Sequence, residues 1–196
     1  MSDPLFDADD DANTPLTPEE REKLIPSYIT LRRELNEVEQ VNIAQADRWA
    51  FSRRRDVLDE TFLRNLHKRM LGEVWRWAGT YRRTARNIGI DAYRIGTELN
   101  QLIGDARFWV ENGTYSPDEI AVRFHHQLVF IHPFPNGNGR HARMAADLLA
   151  VQLGQPRFTW GSANLVEPAE ARARYVAALR AADNHEIEPL IAFARL

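Results

Sequence analysis

The chain has 196 residues and no cysteine. That excludes disulfide staples, thiolate metal centres and a cysteine nucleophile, and it fits a reducing compartment. No sign of charge dominates: 25 basic against 28 acidic side chains leave a net charge of −3, so no global attraction to nucleic acid is expected. No apolar run approaches the ~20 residues that a membrane-spanning helix needs. The opening MSDPLFDADDDAN has neither the basic nor the apolar region of a secretory signal. These absences point to a soluble, cytoplasmic protein with no membrane partner. Hydrophobic content of 44% and charged content of 27% are ordinary for a globular domain with a sizeable core.

What is present is mostly helical punctuation. Residues 1–14 read as a disordered acidic tail, with Asp3, Asp7, Asp9, Asp10 and Asp11 and little to bury. TPEE at 17–20 is a helix start: Thr17 caps, Pro18 suits the first turn and Glu20 closes a capping box. Between Tyr28 and Arg54 there is neither Gly nor Pro, and Ile29, Leu31, Leu35, Val38 and Val41 recur at helical spacing. Asp59 caps the next helix, which carries Phe62, Leu63, Leu66, Met70 and Leu71 and ends at Gly72. Trp75 and Trp77 then read as core anchors. Residues 80–95 lose the helical period and read as a short hairpin or extended flap, with Arg82, Arg83, Arg86 and Arg94 facing water or an acidic target. Thr97 opens a helix ending at Asn112-Gly113, and SPDE at 116–119 repeats the capping device with Ser116 and Glu119. Helical patterns resume after Gly139, from about Pro168 to Asp183, and over 187–196. The fold class is all-α: a helical bundle with one short β-hairpin flap. The chain divides into the tail, N-terminal helices over 15–54 and a core over 55–196.

Between two of these helices stands HPFPNGNGRHAR, residues 132–143. A helix N-terminus presents unpaired amides at the positive end of its dipole, and glycines let a phosphate approach that backbone. Arg140 and Arg143 are three apart, share a helix face and can fork onto phosphate oxygens. His132 has the pKa class suited to taking a proton from an attacking hydroxyl. The Asn138 side chain can bond a phosphate oxygen, and Phe134 is placed to anchor the loop in the core. The implied chemistry is phosphoryl or nucleotidyl transfer. His125 and His126 are adjacent on a helix, so they point apart, one buried and one exposed, and make no metal face. His141 and His185 read as surface residues.

The stretch resembles the signature of the Fic family, H-P-F-x-[D/E]-G-N-G-R-x-x-R, at His132, Pro133, Phe134, Gly137, Asn138, Gly139, Arg140 and Arg143. LHKRMLGEVWRWAGTYR (66–82) and YVAALRAADNHEIEPLIAF (175–193) resemble other parts of that family. The whole chain, including IPSYITLRRELNEVEQVNI at 25–43, resembles the mobile mystery protein B subgroup, found with bacterial mobile elements. The resemblance implies transfer of AMP from ATP, with Mg²⁺, to a Ser, Thr or Tyr hydroxyl of a target protein, in a toxin-like setting. His132 would be the general base. Gly137, Asn138 and Gly139 would form the anion hole for the α- and β-phosphates. Arg143 would hold the γ-phosphate and Arg140 would assist. The flap near 84–94 would hold the target segment by strand-like pairing. Asn136 stands where the family usually has a metal-binding Asp or Glu. An amide oxygen can serve when the phosphates supply most of the coordination. The swap also admits another donor nucleotide or phosphate-containing group, a reverse reaction, or a nucleotide-binding regulatory module without turnover. In many relatives a glutamate on an inhibitory helix pairs with the second arginine of the motif. Glu39 fits that place best, Glu34 being the alternative, and its displacement would let Arg143 take phosphate. Nucleic acid is disfavoured as a partner, and a homodimer is left open.

Overall fold

Helices begin where the sequence supplies a cap. The computed structural model describes residues 16–162 and 168–196, so the expected tail at 1–14 lies outside the described residues. Eight α-helices stand among the described residues: α1 (Pro18–Arg21), α2 (Arg32–Phe51), α3 (Glu60–Leu71), α4 (Ile95–Asn112), α5 (Pro117–Ile131), α6 (Asn138–Gln152), α7 (Pro168–Asp183) and α8 (Glu188–Arg195). None is long and apolar enough to cross a membrane.

Local chemistry accounts for most of the boundaries. Thr17 and Glu20 form the reciprocal capping box, with the Thr17 N–H donating to the Glu20 carboxylate at 2.9 Å. Asp59 Oδ1 accepts the Phe62 N–H at 2.7 Å. Gly113 ends α4 in the left-handed region at φ 58°, where a side chain is disfavoured. Two expectations are corrected in detail. α4 begins at Ile95 rather than Thr97, because a 3-10 turn over Ala92–Arg94 feeds directly into it. Ser116 caps α5, but Glu119 does not close a box: its carboxylate is drawn to Arg123 one turn on, at 2.8 Å.

α5 and α6 form the centre, buried along much of their length through Phe124, Leu128, Ala142, Ala145 and Leu149. α3 contributes Leu63, Leu66, Met70 and Leu71 to the same core. The N-terminal segment has no core of its own: Ile29, Leu35, Ala46 and Ala50 belong to the common cluster. Residues 23–25 lie against 74–76, with the Ile25 N–H donating to the Val74 carbonyl at 2.8 Å and the Arg76 N–H to the Lys23 carbonyl at 3.0 Å. Trp75 and Trp77 are core anchors as expected, stacked at 5.1 Å.

The hairpin is not formed. No strand runs through 80–95, which is turn and coil before the 3-10 turn. Arg82 explains why. Its side chain is buried, not solvent-facing, and donates to the carbonyls of His132 (2.7 Å), Thr84 (3.0 Å), Ile131 (3.3 Å) and Ile90. One guanidinium thus satisfies carbonyls on both sides of the segment that a ladder would otherwise pair. Arg86 is also internal, paired with Glu20 on α1.

Removing the Arg82 fork strands several buried carbonyls at once. Arg82→Leu should lower the unfolding free energy by about 3 kcal/mol or more. Arg82→Lys should not restore it, since a single ammonium cannot reach the diverging acceptors. Urea denaturation checks both.

Candidate functional site

The site is the link between α5 and α6. α5 ends at His132, which turns into the left-handed region at φ 54° and donates its N–H to the Leu128 carbonyl at 3.2 Å. That turn directs the His132 side chain away from the helix path. The ring is buried, and its Nδ1 lies 3.3 Å from the Val129 carbonyl. A carbonyl only accepts, so Nδ1 carries the proton and Nε2 keeps its lone pair. Burial, and after it the nearby Arg82 and Arg86 cations, outweigh the Val129 bond and bring the pKa down to about 4. His132 is therefore neutral at neutral pH, the form a base requires, although its proton affinity is held below the value best suited to catalysis. The flap is the nearest cause of burial: a Cβ on Gly89 would come within 2.5 Å of the His132 Cβ.

The following loop is seated on α3. Phe134 is buried, as expected of an anchor, and lies flat on His67 with ring centroids 3.7 Å apart. The Asn138 side chain is not turned to a ligand. It closes the loop from within, accepting the Phe134 N–H at 2.9 Å and donating to the Phe134 carbonyl at 2.8 Å. The expectation that this side chain bonds phosphate is corrected; its backbone amide remains in place at the start of α6. Gly137 precedes that helix at φ 78°, with Leu71 so close that a Cβ would meet it at 2.6 Å. Helix geometry leaves the N–H groups of Asn138, Gly139 and Arg140 without intrahelical acceptors. Among the described residues, a Cβ added at Gly139 would meet only the Tyr175 hydroxyl, at 3.9 Å.

The two arginines differ. Arg143 lies over the Tyr175 ring, 5.4 Å from its centroid. Arg140 Nη1 donates to Glu39 Oε2 at 2.7 Å, and Glu39 Oε1 accepts the Trp75 indole N–H, also at 2.7 Å. Of the two glutamates proposed from sequence, Glu39 is the one brought to the site. Glu34 instead caps α2, accepting the Thr30 and Leu31 N–H groups at 3.1 and 3.2 Å. The expected partner is corrected: Glu39 holds the first arginine of the motif, Arg140, and not Arg143.

Several histidines are not where sequence reasoning placed them. His125 and His126 are both buried, the first against the Tyr175 hydroxyl (3.0 Å) and the second against Asp183 (2.8 Å). His141 is fully buried under the loop rather than on the surface, bonded to the Leu63 carbonyl at 2.9 Å, while His185 is exposed as expected. His67, which sequence reasoning missed, lies directly beneath the motif.

Asn136 does not offer a metal ligand set. Its Oδ1 accepts the Gly137 N–H at 2.7 Å and carries no charge. Among the described residues no group of three or more His, Cys, Asp or Glu side chains could hold a metal ion. The residues present do not fit a resident Mg²⁺, which prefers anionic oxygen.

Burial drives down the pKa of four histidines, His67, His125, His132 and His141, the last two to about 4. The unfolded chain takes up protons near pH 6.5 while the native state does not, so stability rises with pH in this window and is lost as pH falls. Between pH 6.5 and about 4, each of these histidines should remove up to about 1.4 kcal/mol per pH unit. Urea midpoints from pH 7.5 to 4.5 should fall steeply, and His132→Gln should flatten that fall.

Residues 57–150 match the Fic/DOC family. The chain is 28% identical over 146 residues to the protein adenylyltransferase fic-1 of Caenorhabditis elegans, covering 72% of this chain and 27% of the relative. It is 30% identical over 132 residues to the protein adenylyltransferase Fic of Drosophila grimshawi, covering 65% and 26%. The chain thus spans about a quarter of the length of these relatives. In fold it is similar to the N-terminal Fic domain of a cell filamentation protein (a VirB-translocated Bep effector) of Bartonella quintana, solved with bound ADP. The TM-score is 0.69 at 18% identity, over 90% of this chain and 94% of that one.

Proposed function

Because this chain belongs to the Fic/DOC family, we propose that it transfers AMP from ATP to a Ser, Thr or Tyr hydroxyl of a target protein. One observation carries the reading: a neutral histidine, its proton held on Nδ1 by the Val129 carbonyl, stands in the link that leads to a helix N-terminus bearing two arginines. The target oxygen attacks the α-phosphorus, the bond to the bridging oxygen of the β-phosphate breaks, and pyrophosphate leaves. The target hydroxyl proton passes to His132 Nε2. The amides that open α6 face the phosphates, where backbone dipoles and guanidinium groups stabilise the developing charge. Gly139 leaves the space for them. Arg143 and Arg140 take the outer phosphates.

The Glu39–Arg140 pair opposes this. While Glu39 holds Arg140, one phosphate ligand is withheld, and the low basicity of the buried His132 acts in the same direction. Glu39 is therefore the proposed brake. The names of the relatives support AMP transfer, and a protein of similar fold was solved with bound ADP. A second reading, nucleotide binding without turnover, is favoured by Asn136, whose neutral amide replaces the acidic residue of the motif.

Labelling with α-³²P-ATP in a bacterial lysate separates them. Label on protein should fall by at least about 100-fold in His132→Ala. It should rise about tenfold or more in Glu39→Gly, since Arg140 gains a charge-assisted bond to phosphate. ATP binding by calorimetry with no label in wild type, Glu39→Gly or Asn136→Asp would establish the second reading.

A further inference from the structure

His67 lies on α3, outside the motif, and is completely buried. It touches the motif loop and the turn that leads to the flap. Its Nδ1 accepts the Gly79 N–H at 2.9 Å, and its Nε2 lies 3.0 Å from the Asn136 carbonyl oxygen. An amide N–H only donates and a carbonyl only accepts, so the two contacts together fix one tautomer. Nε2 carries the proton and donates it to Asn136. Both ring nitrogens are used, and the ring cannot turn over without losing both bonds.

The ring face is used as well. His67 stacks on Phe134 at 3.7 Å and 16°, while His141 meets both rings edge-on. A Cβ on Gly137 would lie 3.4 Å from His67 Nε2, so the backbone of the presumptive phosphate cradle rests against this nitrogen. The Asn136 carbonyl it grips is the last before the left-handed turn of Gly137 that aims the α6 amides.

We propose that His67 is a positioning residue for the site, its Nε2–H holding the Asn136 carbonyl so that the Gly137–Gly139 backbone keeps the curvature a phosphate needs. This rests on the nucleotide reading above for its purpose, but not for its geometry. His67 makes no contact with substrate in this role.

Two conservative substitutions separate the bonds. A Gln amide reaches the place of Nε2 and can donate to Asn136. An Asn amide reaches the place of Nδ1 and can accept from Gly79. Both lose the stack on Phe134, so both should lower the melting temperature alike. Hydrogen exchange by NMR in nucleotide-free protein is the first readout. The Gly137 amide, which donates to Asn136 Oδ1, and the His141 amide, which donates to the Gly137 carbonyl, should exchange at least about tenfold faster in His67→Asn than in His67→Gln, because only the former removes the donor to the Asn136 carbonyl. ATP titration should follow the same order, with affinity rescued in His67→Gln. Equal exchange in the two variants, or faster exchange in His67→Gln, overturns the proposal. A wild-type protein that binds no ATP, yet shows the expected exchange order, overturns the nucleotide reading and leaves the assignment of His67 to the loop standing.

Discussion

Residues 133–136 must link two buried helices without helical hydrogen bonds of their own. An unpaired backbone polar group at such depth costs about 1–3 kcal/mol, so the link persists only if other groups supply partners. Asn138 supplies two, closing on the N–H and carbonyl of Phe134. Arg82 supplies the carbonyls of Ile131 and His132 with its side chain and the Pro133 carbonyl with its own N–H, at 2.9 Å. His67 supplies Asn136. The partners come from α3, α6 and the flap, and this is why these three elements converge here. With the loop held by these partners, the α6 amides stay clear of intrahelical bonds and Arg143 lies beside them over Tyr175, while Arg140 is held by Glu39.

The electrostatics follow from that convergence. The positive end of α6, Arg140 and Arg143 gather on one side, and the histidines around them stay neutral because burial penalises their charged form more than any neighbour favours it. Glu39 is drawn in by the same field. Its contact with Arg140 is about one-third exposed on the arginine side, whereas the Trp75 indole fixes the other oxygen in the core. Such a pair orders two side chains, yet Glu39 brings one unit of negative charge, where a nucleoside triphosphate carries several and, under the proposed function, would reach the α6 amides as well.

The parts of this arrangement written locally could be read from the sequence. Thr17, Asp59 and Ser116 begin helices because a cap and the amides it serves lie within three residues of one another. The order His132, Gly137, Gly139, Arg140, Arg143 is likewise continuous in the chain. What was not legible depends on distant contacts. Arg82 looked like one exposed arginine among four, because its acceptors at 131 and 132 are far along the chain. His67 and His141 looked like ordinary helix residues, because their partners come together only when α3 and α6 pack. The motif resemblance already favours Glu39 over Glu34, but the bonds of Glu39 to Trp75 and Arg140 form only when α2 packs. The partner arginine could not be read from the motif at all, since Arg140 and Arg143 share a helix face and only packing decides which one Glu39 meets.

Asn136 changes the meaning of that choice. An acidic residue there would set a fixed negative charge beside the incoming phosphates, and a cation would be needed between them. The amide removes that repulsion and turns its oxygen onto the Gly137 N–H instead. Glu39 is then the carboxylate that the fold brings to Arg140, and under the proposed function it would compete with the nucleotide for that guanidinium. Competition of this kind is reciprocal: whatever free energy the Glu39 contact contributes to holding α2 against the site, a nucleotide that takes Arg140 must overcome, and a change that loosens α2 returns it to nucleotide binding. Under the proposed function α2 and the phosphate cradle would be two ends of one equilibrium, joined through the Arg140 guanidinium.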